Sequence, residues 1–208
     1  MAYRGQPLRV EELLYKTKHS LIEQSRHAKL GVETFNGDGF GLGWYGDREP
    51  GLYRSLMPAW GNHNLQSLAA HVHSPLFLAH VRATTGTPVQ ETNCHPFRHE
   101  NWLFCHNGKI DGYAGLRRDL VLAVAPEFFD TMQGTTDSEV MFCLALTFGL
   151  QEDPLGALER MAGFVERLGH SRDIEFPLQM TLGVSDGNDL YAVRYSSVGR
   201  SRCPRRPR

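Results

Sequence analysis

The sequence has little cysteine and spaces it poorly for disulfide or metal chemistry. Cys94, Cys105, Cys143 and Cys203 are all there is in 208 residues, and no two form a CxxC pair. That excludes a disulfide scaffold and fits a reducing compartment. An HExxH helix motif is also missing. The ten histidines, six of them between His71 and His106, therefore match no common zinc set, and neither a metal nor a cofactor is expected. Long apolar runs are absent: the longest, Met141 to Leu150, is too short to span a bilayer, and no charged-then-apolar leader opens the chain. Charge of one sign is lacking too, because the formal net charge is -1, which sets up no field for nucleic acid or a membrane surface. These absences predict a soluble cytoplasmic protein with neither kind of partner.

What is there is a core. With 41% hydrophobic residues the chain can bury a sizeable one, and the organisation reads as a single domain over residues 1–199. Residues 200–208, with five arginines and two prolines, change composition abruptly and cannot join it. Ala2-Tyr3-Arg4-Gly5 reads as the end of a strand whose body is missing. Val10 to Lys16 has helical spacing, and Ser20 to Lys29 reads as a polar loop over a sheet edge. Asn36 to Tyr45 is a turn feeding a strand with glycine at alternate positions. One face of it carries no side chains, so another backbone or a ligand can approach closely. Gly51 to Leu56 pairs with that strand.

Further along, Asn64 to His73 is helical, Pro75 to Arg82 and Asn101 to His106 are buried strands, and Gly112 to Val124 is a helix. Thr136 or Asp137 caps an apolar helix over 138–150, and Asp153-Pro154 opens another that runs to about Gly169. Pro177 to Val184 and Leu190 to Ser196 form a hairpin. Strands, then helices, then strands again predict an α+β arrangement of sheets covered by helices.

Two apolar strands end in chemistry. The first delivers Arg82, whose guanidinium suits a carboxylate ligand or a structural acid such as Asp38 or Asp137. The second ends in Asn107-Gly108, which is either a hairpin turn or an oxyanion hole built from an amide side chain and a glycine N–H. The spacing puts both groups at the same edge of one sheet. Cys94-His95 and Cys105-His106 are adjacent in sequence, and neighbours on a strand face opposite ways, so neither makes a nucleophile–base pair. Cys105 and Cys143 read as small buried hydrophobes.

Taken together, NGDGFGLGWYG (36–46), AHVRATTG (79–86), NCHPF (93–97), HNG (106–108) and TTDSE (135–139) resemble the class II glutamine amidotransferases, in particular their stand-alone bacterial branch. The resemblance runs from Tyr3 to about Arg200. It implies a four-layer αββα sandwich of the N-terminal-nucleophile hydrolase type, incomplete at both ends. It also implies that Arg82 holds the α-carboxylate of glutamine, Asp137 its α-ammonium, and that Thr84, Thr85 and Gly86 line the same pocket. Asn107 and Gly108 would form the oxyanion hole, and Asn36 a supporting loop beside the nucleophile. The ligand would be glutamine or another γ-glutamyl compound, and released ammonia would pass to a partner synthase. In this family the nucleophile is an N-terminal cysteine, whereas residue 2 here is Ala2. The expectation is either a native start a few residues upstream, bearing that cysteine, or a relative that binds a γ-glutamyl ligand without cleaving it.

Overall fold

A computed structural model describes residues 1–26, 37–83 and 88–198. Its frame is two antiparallel sheets of four strands each. Sheet one has the order β1-β4-β2-β3, from β1 (Ala2–Arg9), β4 (His73–Val81), β2 (Phe40–Trp44) and β3 (Gly51–Ser55). Sheet two has the order β5-β6-β7-β8, from β5 (Phe97–His99), β6 (Trp102–Ile110), β7 (Leu178–Ser185) and β8 (Leu190–Ser196).

Three apolar layers define the packing. On the outer face of sheet one, Phe40, Leu42, Phe77 and Ala79 bury against α1 (Glu11–Leu14), α2 (Leu21–Arg26) and α3 (His63–His71) through Val10, Leu14, Ile22, Leu65 and Ala69. On the outer face of sheet two, Phe104, Met180 and Leu182 meet α4 (Tyr113–Leu122), α6 (Asp137–Thr147) and α7 (Pro154–His170). A short α5 (Pro126–Phe129) joins α4 to the loop before α6. Between the sheets lie Tyr45, Leu76, Leu78, Leu103 and Cys105. The result is helix, sheet, sheet, helix, the four-layer α+β architecture expected. Helix α6 is buried on every side, with residues 138–146 all enclosed and 140–146 all apolar, as a helix between a sheet and other helices must be.

The glycine-spaced strand has the close contact its sequence implies, and the visitor is backbone. Beside Gly41 on β2 runs the main chain of His95; a Cβ there would collide with the His95 carbonyl. The segment 94–97 can therefore lie flat across β2 between the sheets. Tyr45, just past β2, then ties the layers together, its single O–H shared between the carbonyl oxygens of Asn101 and Ser185, each 2.8 Å away.

Four expectations change. The N-terminal segment is a full strand, β1, paired with β4 from Ala2↔Leu78 to Arg9↔His73 across an irregularity at residues 4–8. Residues 21–26 form helix α2 instead of a loop, because Ser20 Oγ accepts the Glu23 N–H at 3.1 Å and so caps the first turn. Asn107 and Gly108 are not a turn but mid-strand in β6, opposite Thr181 and Met180. Finally, the strands carrying Arg82 and Asn107 belong to different sheets, so the two groups do not share one sheet edge. The tail from residue 200 lies outside the described residues. Among those described, no helix is long and apolar enough to cross a membrane.

Candidate active site

Arg82 follows directly on β4 and is only 4% exposed. Its main chain is zipped to the segment before β2: Arg82 N–H donates to Gly39 O (2.9 Å) and Asp38 N–H donates to Arg82 O (3.1 Å). Its guanidinium donates to the carbonyl oxygens of Pro88 (3.1 Å) and Asp38 (3.5 Å). A buried cation held by carbonyl dipoles keeps its charge in one place, which is what an anion-binding group requires.

Across the sandwich, β6 continues its alternation past the apolar run. Leu103 and Cys105 face the inter-sheet layer while Trp102 and Phe104 face the helices, so Asn107 falls in register with the inter-sheet side and is exposed there. Gly108 has φ 148°, and a Cβ on it would meet the Gln179 carbonyl of β7. Glycine is the residue that fits this corner. His106 points the other way and is buried, with Nδ1 2.7 Å from Ser138 Oγ and Nε2 3.3 Å from the Gln179 carbonyl.

That contact joins the end of β6 to the start of α6. Thr136 is the N-cap, its side chain accepting the Glu139 N–H at 3.2 Å. Asp137, the first helical residue, accepts from Ile110 N–H of β6 (2.8 Å) on one oxygen. Its other oxygen accepts from Ser138 N–H (2.7 Å) and Ser138 Oγ (3.2 Å). The carboxylate is thus oriented by β6 and its own helix turn. Glu139 is 2% exposed and accepts from the Gln133 and Gly134 N–H groups (2.9 and 2.7 Å); burial raises its pKa, against the lowering effect of those two bonds. The spacing Thr136-x-x-Glu139 reads as a capping box, but here the glutamate reaches further back into the loop.

Three imidazoles lie close together here, His95 and His106 buried and His80 partly exposed. His80 and His95 rings are 4.3 Å apart, and His95 packs edge-on against Phe97. Both nitrogens of His95, and Nδ1 of His80, have no hydrogen-bond partner among the described residues. Desolvation drives all three histidines towards the neutral form. His80 falls to about 3 and His95 well below its ordinary value; His106 also falls, with nearby Asp137 pulling against the shift.

The described cysteines lie elsewhere. Cys94, Cys105 and Cys143 are buried and free, and burial pushes the last two up to about 12. None is poised as a thiolate. Cys105 faces the inter-sheet layer and its neighbour His106 faces Ser138, so the adjacent pair diverges as the strand period requires. Of the residues singled out from the sequence, Arg82, Asp137, Asn107 and Gly108 are described; Asn36, Thr84, Thr85 and Gly86 lie outside the described residues. Missed were Asn93, Ser138 and Glu139, although each stands inside a motif quoted whole, NCHPF or TTDSE.

The chain as a whole is similar to known proteins. The family model for class II glutamine amidotransferases matches residues 20–202. A probable glutamine amidotransferase of Saccharomyces cerevisiae is 41% identical over 156 residues, 70% of this chain and 44% of the relative. A gamma-glutamyl-hercynylcysteine sulfoxide hydrolase of Mycolicibacterium smegmatis is 34% identical over 162 residues, 76% of this chain and 65% of the relative. Among solved structures, a glutamine aminotransferase class-II domain protein from Silicibacter pomeroyi superposes with a TM-score of 0.73 at 39% identity, covering 94% of this chain and 76% of that one. The chain thus spans about half to two thirds of the length of these curated relatives.

Proposed function

We propose, from the premise that this chain belongs to the class II glutamine amidotransferase family, that its site binds the amino-acid end of glutamine and presents the γ-amide for hydrolysis to glutamate and ammonia. Arg82 takes the α-carboxylate and Asp137 the α-ammonium, and Thr84, Thr85 and Gly86 contribute to the same pocket. Each charge-assisted bond of this kind contributes about 1.5–3 kcal/mol. Asn107 Nδ2 and the Gly108 N–H receive the oxygen that becomes negative when a thiolate attacks the amide carbon. The new S–C bond forms, the C–N bond then breaks with a proton delivered to the departing nitrogen, and water cleaves the resulting thioester. Asn36 supports the loop beside the nucleophile. A partner synthase would consume the ammonia.

The observation that supports the reading is the hydrogen-bonded seam joining the end of β6 to the start of α6, in which Asp137 accepts the Ile110 N–H and Ser138 Oγ meets His106 Nδ1. The nucleophile in this reading is the N-terminal cysteine that the family resemblance implies.

Two measurements test this. L-glutamine should raise the melting temperature of the chain, and Arg82→Ala should abolish that shift; no shift with the unaltered chain counts against the clamp. N-terminal sequencing of the protein from its host should give a cysteine upstream of Met1. A terminus at Met1 or Ala2 would leave ligand binding without this chemistry. A second substrate class is favoured by the 34% identity to a gamma-glutamyl-hercynylcysteine sulfoxide hydrolase: a γ-glutamyl amide larger than glutamine, held by the same Arg82 and Asp137.

A further inference from the structure

We infer that Asn93 is a positioning residue that fixes the spacing between Arg82 and Asp137, so that the site binds a ligand's carboxylate and ammonium as a matched pair. This rests on the roles given to Arg82 and Asp137 above and deepens that reading.

Asn93 ends a short 3-10 turn between the two sheets' contributions to the site and is fully buried. Its side-chain amide has two N–H donors and an oxygen that can accept twice, and every one of these is used. Nδ2 donates to the Pro88 carbonyl (2.9 Å) and to Thr135 Oγ1 (3.2 Å). Oδ1 accepts from the Thr135 N–H (2.8 Å) and from Gln90 Nε2 (3.2 Å).

The identity of two of those partners gives the residue its place. The Pro88 carbonyl that Asn93 holds is the one that also receives the Arg82 guanidinium. Thr135, gripped by Asn93 at both its N–H and its hydroxyl, stands two residues before Asp137 and directly before the N-cap of α6. One side chain therefore bridges the seat of the cation and the seat of the anion, which come from different layers of the sandwich. Glu139 pins the preceding residues Gln133 and Gly134 to α6, so the loop carrying Thr135 has no independent slack. A zwitterion presents its two charges on one carbon at a fixed separation. A rigid brace between their receptors converts two weak contacts into one chelating contact, because the second charge binds without a new positional cost.

A purely structural asparagine predicts something different: its loss would weaken every ligand alike. The test uses isothermal titration calorimetry with L-glutamine, with glutaramate (carboxylate, no ammonium) and with 4-aminobutanamide (ammonium, no carboxylate). Asn93→Ala should weaken L-glutamine by about tenfold or more while the two single-charge amides shift by less than about twofold. Equal shifts for all three ligands, or no shift for any, would overturn the brace. If Asn93→Ala fails to give a cooperative melt, Asn93→Ser, which leaves a polar hydroxyl one bond short of the amide's partners, should show the same selective loss. No binding of L-glutamine by the unaltered chain would overturn the clamp and the brace together. Binding by that chain with no selectivity in the variants would overturn the brace alone.

Discussion

Gly108 shows how little room a single position has at this site. Its φ of 148° and the Gln179 carbonyl against its missing side chain both require glycine. Gly108→Ala should lower the urea midpoint, by about 1–3 kcal/mol in stability from backbone strain alone, with a further loss as β7 gives way. Measured glutamine binding should fall with it. Arg82→Lys is a sharper probe than Arg82→Ala for the anion. Lysine keeps the charge but has no planar fork, so it cannot hold the Pro88 and Asp38 carbonyls and a carboxylate together. The glutamine-induced melting shift should therefore shrink in Arg82→Lys without the loss of a buried cation. At this scale the sequence announces charged residues well and polar braces poorly. Arg82 stands out because a guanidinium after an apolar run is costly to bury. Asn93 looks like any loop amide until its four partners are known.

Helix α6 and strand β6 meet at their ends, and the helix start is held by few groups. Thr136→Ala removes the cap that accepts the Glu139 N–H. That should cost about 1 kcal/mol and lower the melting temperature by about 2–4 °C for a chain of this size, read by differential scanning calorimetry. The elements that could be read from the sequence are those whose period survives burial. Leu178, Met180 and Leu182 alternate inward along β7, and α7 begins at an Asp153-Pro154 pair in which Asp153 caps Gly156. β4 and β6 were legible as apolar runs because both of their faces are covered. β1 was not, since most of Ala2–Arg9 is exposed and it carries Gly5 and Pro7. Nor could the runs be assigned to sheets. β4 finds its partners in β1 and β2, and β6 in β5 and β7, and such distant pairings leave no local trace.

Across the whole molecule, acid should be a weakness with a definite sign. His80, His95 and His106 are held neutral in the folded state, with pKa values below the ordinary 6.5, about 3 for His80. Below pH 6.5 the unfolded chain therefore binds protons that the folded chain refuses. Stability should fall as pH drops, by up to about 1.4 kcal/mol per pH unit for each group. Glu139 opposes this: its folded pKa is raised, so its contribution is present below its unfolded value and is lost as pH rises through the folded one. Three imidazoles against one carboxyl leave a net loss, and urea midpoints at pH 5 should lie below those at pH 7. The strand order of sheet one has a separate consequence in time. β1 sits at the edge and pairs with β4 alone, whose last residue is Val81. On a ribosome adding about 5–20 residues per second, its partner takes roughly 4–16 s to be made. For those seconds β1 has no partner strand, so its backbone N–H and C=O groups stay open to water or to another chain's strand until β4 emerges.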